Sequence, residues 1–140
     1  MPAISIQLVS ITAERLSENL PPQIQFQVNL SIPSDQPFSR NESVIVPFTF
    51  TINSIPPVVH YSIKGRAIIT PQKKRGEEKT LKEIVEKKKI PQQVVQAVFI
   101  NMLAEVIVLS RSLGVPPPIP PIQLPQPRKT TKEQHYSPVQ

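Results

Sequence analysis

Chemistry needs side chains that move protons, attack carbonyls or hold ions, and this sequence supplies few in workable combinations. None of its 140 residues is Cys and only two are His, His60 and His135. Without thiols there can be no disulfide, iron–sulfur cluster or thiolate zinc site. A histidine metal site or a Ser-His-Asp triad is equally poorly served, because His60 has no evident orienting partner and His135 sits in a polar tail. Gly65, Gly76 and Gly114 are the only glycines, too few for a phosphate-cradling loop. Glu105 stands inside an apolar stretch. It could be an acid of raised pKa, but the simpler reading is a carboxylate facing solvent or paired with Arg111 or a partner chain. No nucleophile has a base beside it, so the sequence predicts no enzyme, with no catalytic residues, metal or cofactor.

Charge is the next chemical feature. The net +6 is concentrated between residues 64 and 89, where Lys64, Arg66, Lys73, Lys74, Arg75, Lys79, Lys82, Lys87, Lys88 and Lys89 meet only Glu77, Glu78, Glu83 and Glu86. Such a run reads first as a solvated loop and helix face. Its functional alternative is contact with phosphates or an acidic partner through Lys64, Arg66, Lys73, Lys74 and Arg75. Base stacking is not supported, since Phe26, Phe48, Phe50 and Tyr61 all fall on inward-facing rows.

Those rows come from the clearest periodicity in the chain. In "IQFQVNLSI", Ile24, Phe26, Val28, Leu30 and Ile32 alternate with Gln25, Gln27, Asn29 and Ser31, the period of a strand dry on one face and wet on the other. "VIVPFTFTI" places Val44, Val46, Phe48, Phe50 and Ile52 inward, with Pro47 on the outer row as the mark of an edge or bulge. "VVHYSIKGRAII" places Val59, Tyr61, Ile63, Ala67 and Ile69 inward, with a possible bulge at Gly65. "ISIQLVSI" is a weaker fourth strand. Short connectors without a helical crossover predict antiparallel pairing in sequence order, a four-stranded meander whose apolar face must be covered.

Two helices follow. "TLKE" reads as a capping box on Thr80 and Glu83, opening a short helix that ends among Lys87–Lys89. Pro91 opens a second, residues 91–113, which Gly114 and Pro116 end. At 100° per residue, Asn101, Glu105 and Ser112 occupy one narrow sector, and apolar side chains fill most of the rest. A helix apolar nearly all round needs cover on two sides. A second subunit or the following segment would supply it, which predicts a homo-oligomer with Val98, Met102, Val106 and Leu109 at subunit contacts. The apolar window 94–109 is shorter than the ~20 residues of a spanning helix and carries polar breaks, so no membrane insertion is expected. With no signal-peptide pattern at the N-terminus, the expectation is a soluble cytoplasmic protein.

The chain then meets "VPPPIPPIQLPQP", residues 115–127. Eighteen prolines in the whole chain far exceed the usual ~5%. Here they stiffen an extended arm that has little entropy left to lose and carries Ile119, Ile122 and Leu124. Docking on the protein's own surface is the preferred reading, with a ligand for SH3- or WW-type domains as the alternative. Residues 128–140 read as a disordered polar tail, leaving 1–127 as a single domain that includes the arm.

The order of strands, short helix, apolar helix opened by Pro91, basic residue and Gly, and an exit of the form "PPxxPPIxL" resembles the SecB family of export chaperones, most closely over Ile90–Leu124. The resemblance implies a sheet packed by helices, dimers pairing into a tetramer, and apolar grooves that hold unfolded polypeptide without ATP. Those grooves map near Val115, Ile119, Ile122 and Leu124. This chain departs from the family in being basic, which puts docking on an acid-seeking translocation motor in doubt. The expectation is therefore an α+β, SecB-like domain that binds unfolded polypeptide, with nucleic-acid or ribonucleoprotein binding as the alternative.

Overall fold

In a computed structural model, which describes residues 3–72 and 77–118, the alternating segments form one antiparallel sheet. Its strands are β1 (Ala3–Arg15), β2 (Gln25–Ser31), the short β3 (Phe38–Arg40), β4 (Ser43–Ile55) and β5 (Val59–Thr70), followed by α1 (Glu77–Lys87) and α2 (Gln92–Leu113). The inward rows of β4 and β5 make the core: Val44, Val46, Phe48, Phe50 and Ile52 against Val59, Tyr61, Ile63, Ala67 and Ile69, all buried.

The α+β class, the antiparallel pairing and the two helices are as the sequence predicts. The strand order is not a simple meander. It runs β1-β5-β4-β2, with β3 pairing the other end of β4 on the β2 side. Residues 16–24, with Pro21 and Pro22, carry the chain across the end of the sheet. That places the first strand beside the last rather than beside the second. Local periodicity constrains which face a residue takes and leaves open which neighbour a strand chooses.

Two irregularities show sequence and sheet adjusting to each other. The register of β1 on β5 slips between Leu8 and Ser10. The bulge at Val9 changes parity, so Ile11 and Ala13 lie opposite Ile63 and Tyr61 on the inner face and Ser10 lies opposite Lys64 on the outer one. The bulge is thus on β1, and Gly65 is its neighbour on β5. Gly65 is required by proximity: a Cβ there would stand 2.7 Å from Phe48 Cζ and 2.8 Å from the Gln7 carbonyl oxygen. On β4, Pro47 falls between the segment paired to β3 (Ser43–Ile45) and that paired to β2 (Thr49–Ile55). Its carbonyl accepts from the Ser34 amide at 2.9 Å on that side. The nitrogen that lacks a proton faces the same gap, where no ladder bond is lost.

The tight β4–β5 turn is held by Ser54, whose hydroxyl oxygen accepts from the Val58 and Val59 amides at 2.8 and 3.2 Å and donates to the Pro56 carbonyl. Of the helices, α1 begins at Glu77, so Thr80 lies inside its first turn and is not the cap that "TLKE" suggested. Pro91 is the N-cap residue of α2, and Gly114, at φ 70°, closes it in the left-handed conformation as expected. The Gly114 and Val115 amides donate to the Arg111 and Ser110 carbonyls.

Candidate functional site

A helix is ~10 Å across and strands lie ~4.8 Å apart, so one helix covers about two strands. Here α2 packs along β1 and β5, and α1 packs on β4. The helix N-terminal part, at Val94, lies by Ile69, and its C-terminal part, at Ser110, meets Tyr61, so α2 runs parallel to β1. Neither helix packs mainly on the far strand, β2. Phe26, Val28 and Leu30 stand opposite Ser54, Ile52 and Phe50 on the same inner face, yet they remain only half-buried while Ile52 and Phe50 are fully enclosed. Phe99 reaches down from α2 onto Phe50, edge to face, at 6.0 Å between ring centroids. Phe99 and Leu103 on one side, and Ile24, Phe26, Val28 and Leu30 on the other, are half-buried apolar walls packed against the same core. Between them runs an apolar strip along a strand, suited to apolar side chains of an extended chain and to nothing that requires a charge or a nucleophile.

The end of α2 is fastened at two points. Tyr61 and Ser110, both fully buried, share a hydrogen bond between their hydroxyls. Burial pushes the Tyr61 phenol above its ordinary pKa of 10.0, with the Ser110 hydrogen bond acting weakly the other way. Arg15, at the end of β1, donates to the Leu113 and Gly114 carbonyls at 3.2 and 3.4 Å and to the Ser17 and Glu18 carbonyls at 2.9 Å each. A guanidinium at a helix C-terminus also meets the negative end of its dipole. Beyond it Val115 and Pro118 are buried, so the exit from α2 is laid against the protein before residue 119. An apolar recess of about 130 Å³ lies at the opposite end of α2, lined by Ile4, Ile69, Leu81, Ile84, Pro91 and Val94 with Thr80 and Gln93. It has room for a side chain and not for a peptide.

The predicted site residues fare unevenly. Val115 packs on the core near the exit; Ile119, Ile122 and Leu124 lie outside the described residues. Val98, Met102 and Val106, expected at subunit contacts, form with Val94 and Ser110 the stripe that α2 buries in its own sheet. They are at most 1% exposed within one chain and have no area to offer a second copy, while Leu109 is half-buried. The apolar residues of α2 that do face outward are Ile100 (64% exposed), Ile107 (44%) and Val108 (60%), spaced to share one side of the helix. By length and composition α2 could also cross a membrane; here one stripe of it is sheet-bound.

Lys64 and Arg66 lie on the outer face of β5, opposite Thr49 and Pro47 on β4, among Gln, Asn, Ser and Thr side chains. Lys73, Lys74 and Arg75 lie outside the described residues. His60 on the same face shares a 2.6 Å hydrogen bond with Asn53, and no group of three or more His, Asp or Glu that could hold a metal occurs among the described residues.

Sequence reasoning missed three things. The β2 row was legible as inward-facing but not as half-open, because which strands the two helices settle on is not fixed by local spacing. Arg15 gave no signal, because its partners are backbone carbonyls 98 and 99 positions away. The outward face of α2 was hidden by a helix apolar on most sides, on which periodicity does not separate the sheet-facing stripe from the rest.

No family model matches this chain, and no curated protein matches it. Its fold does have a counterpart among solved structures: the Mycobacterium tuberculosis Rv1957 SecB-like chaperone, in complex with a ChAD peptide from the Rv1956 HigA1 antitoxin. The two superpose with a TM-score of 0.61 over 86% of this chain and 90% of that one, at 15% sequence identity. An antiparallel sheet packed by helices is thus reached by chains of very different sequence: this protein has a SecB-like fold.

Proposed function

We propose that this chain holds extended or unfolded polypeptide without catalysis, in the manner of a holdase chaperone. One observation carries the reading. The inner row of β2 and the flank of α2 at Phe99 and Leu103 form an apolar strip that the described residues leave half-open. Alternate side chains of an extended client would fill it, with its backbone free to run along the sheet. That the solved SecB-like relative was captured with a peptide supports the same use of the fold.

Self-association belongs to this reading. The outer face of α2 at Ile100, Ile107 and Val108 is too apolar for open water. β1 also pairs only with β5 among the described strands, leaving a long edge that has no charge until Glu14 and Arg15. A dimer or tetramer that uses these surfaces keeps the β2 strip, at the other edge of the sheet, open to a client. Lys64 and Arg66 favour a second reading, contact with nucleic acid through phosphates.

The two separate in one set of assays. The holdase reading expects suppression of aggregation of a chemically unfolding client at near-stoichiometric ratios, and weak RNA binding. RNA binding that falls steeply with salt, together with no effect on the client, would overturn it in favour of the second reading.

A further inference from the structure

We propose that the strip along β2 is occupied, in the absence of a client, by this chain's own proline-rich segment Ile119–Leu124, which acts as a built-in competitor. The inference rests on the polypeptide-holding reading of that strip.

The described chain ends at Pro118, with Val115 and Pro118 already buried and the exit from α2 held by Arg15. That exit lies at the end of the sheet where β4 turns into β5, the same end as Phe26, which is paired with Ser54. Because α2 rests over β1 and β5, the exit is two to three strand spacings from β2, about 10–14 Å. Proline-rich backbone rises ~3.1 Å per residue, so Val115 to Ile119 spans about 12 Å and brings Ile119 to the mouth of the strip. From Ile119 to Leu124 is about 15 Å further. The inner row from Phe26 to Leu30 is about 13 Å long at ~3.3 Å per residue.

The recess at the other end of α2 is out of range for these residues, since a 22-residue helix is about 33 Å long. In a polyproline II backbone, three residues per turn would put Ile119 and Ile122 on one side. The prolines bring little conformational entropy to lose and few amide protons that need partners. A segment with apolar side chains and a pre-extended backbone has the properties the strip selects. Tethered a few residues away, it competes at high effective concentration, and a client must displace it.

The test uses the full chain. Since the protein has no Cys, Gln123→Cys gives a single site for a spin label and leaves Ile119, Ile122 and Leu124 intact. The proposal expects the label to broaden the methyl signals of Ile24, just before β2, and of Val28 and Leu30 on it, and to spare Ile4 and Ile6 on β1. Absence of broadening on β2 overturns it. So does broadening that appears only between labelled and isotope-enriched chains mixed together, which would assign the strip to a neighbour's arm.

The functional arm compares the intact chain with Ile119→Ser/Ile122→Ser/Leu124→Ser in binding a fluorescent, unstructured peptide rich in Leu, Ile and Phe. Removing the competitor is expected to tighten binding about three- to tenfold, and unchanged or weaker binding overturns the proposal. If neither chain binds the peptide, the polypeptide-holding reading fails, while the spin label still decides where the arm lies.

Discussion

The Tyr61–Ser110 pair lets the attachment of α2 to the sheet be measured. Both side chains are wholly enclosed, and each hydroxyl has the other as its partner. Ser110→Ala would leave the Tyr61 phenol buried without an acceptor, which costs about 1–3 kcal/mol. Tyr61→Phe is expected to cost less, about 0.5–1.5 kcal/mol, because a helical serine can turn its hydroxyl to the carbonyl four residues back. The double variant leaves no orphan and should lie no lower than Ser110→Ala alone, giving a coupling energy of about 1 kcal/mol. Urea titration of the four proteins measures this, and melting temperatures should follow at about 4 °C per kcal/mol. Additive losses in the cycle would refute the claim that the two hydroxyls satisfy each other.

A pH series provides an independent check. Burial raises the Tyr61 pKa above 10.0, so the folded protein keeps its proton where the unfolded chain has begun to lose it. This contribution is intact below pH 10 and is lost as pH rises towards the folded value, at up to about 1.4 kcal/mol per pH unit. Tyr61→Phe should remove that part of the alkaline slope. An identical slope in the two proteins would contradict the assignment.

Three further outcomes follow from other contacts. Gly65→Ala forces a Cβ between the Phe48 ring and the Gln7 carbonyl and should destabilise by about 1–3 kcal/mol, read by thermal melting; a neutral result would mean that β1 lifts away easily. Arg15→Ala should speed amide exchange at Gly114 and Val115, with a stability loss of about 1 kcal/mol, and Arg15→Lys should restore only part of it because an ammonium lacks the fork. Ile100→Ser/Ile107→Ser should shift the mass seen by light scattering towards a single chain while leaving the melting temperature within about 2 °C, since exposed sites contribute little to a chain's own stability.

The legible part of this molecule was the part governed by local periodicity. Nine faultless alternating residues at Ile24–Ile32, and the rows at Val44–Ile52 and Val59–Ile69, became strands with the expected faces. Gly114 and Pro91 ended and opened a helix where they should. β1 read as weak because its alternation breaks at Val9, and that break is the bulge itself. Thr80 misled because a capping box depends only on spacing, whereas the helix found its start three residues earlier, at Glu77. Strand order was invisible because edge choice depends on long connectors such as 16–24. The candidate site was half legible for the same reason. That Phe26, Val28 and Leu30 face inward is a local fact, but that they stay only half-buried depends on where α2 settles. Its stripe of Val94, Val98, Met102, Val106 and Ser110 chose β1 and β5 through Tyr61 and Arg15, contacts that no spacing rule announces.

The central claim, that the open inner row of β2 holds extended polypeptide, is tested most directly on that strand. Val28→Thr/Leu30→Thr keeps good strand formers and removes apolar area from the strip, while Asn29→Thr changes the outer face between them. Affinity for an unstructured apolar peptide, measured by anisotropy, should fall about five- to thirtyfold for the inner pair, from roughly 1–2 kcal/mol of lost apolar contact, and should stay unchanged for Asn29→Thr. Equal affinities in all three folded proteins would contradict the account.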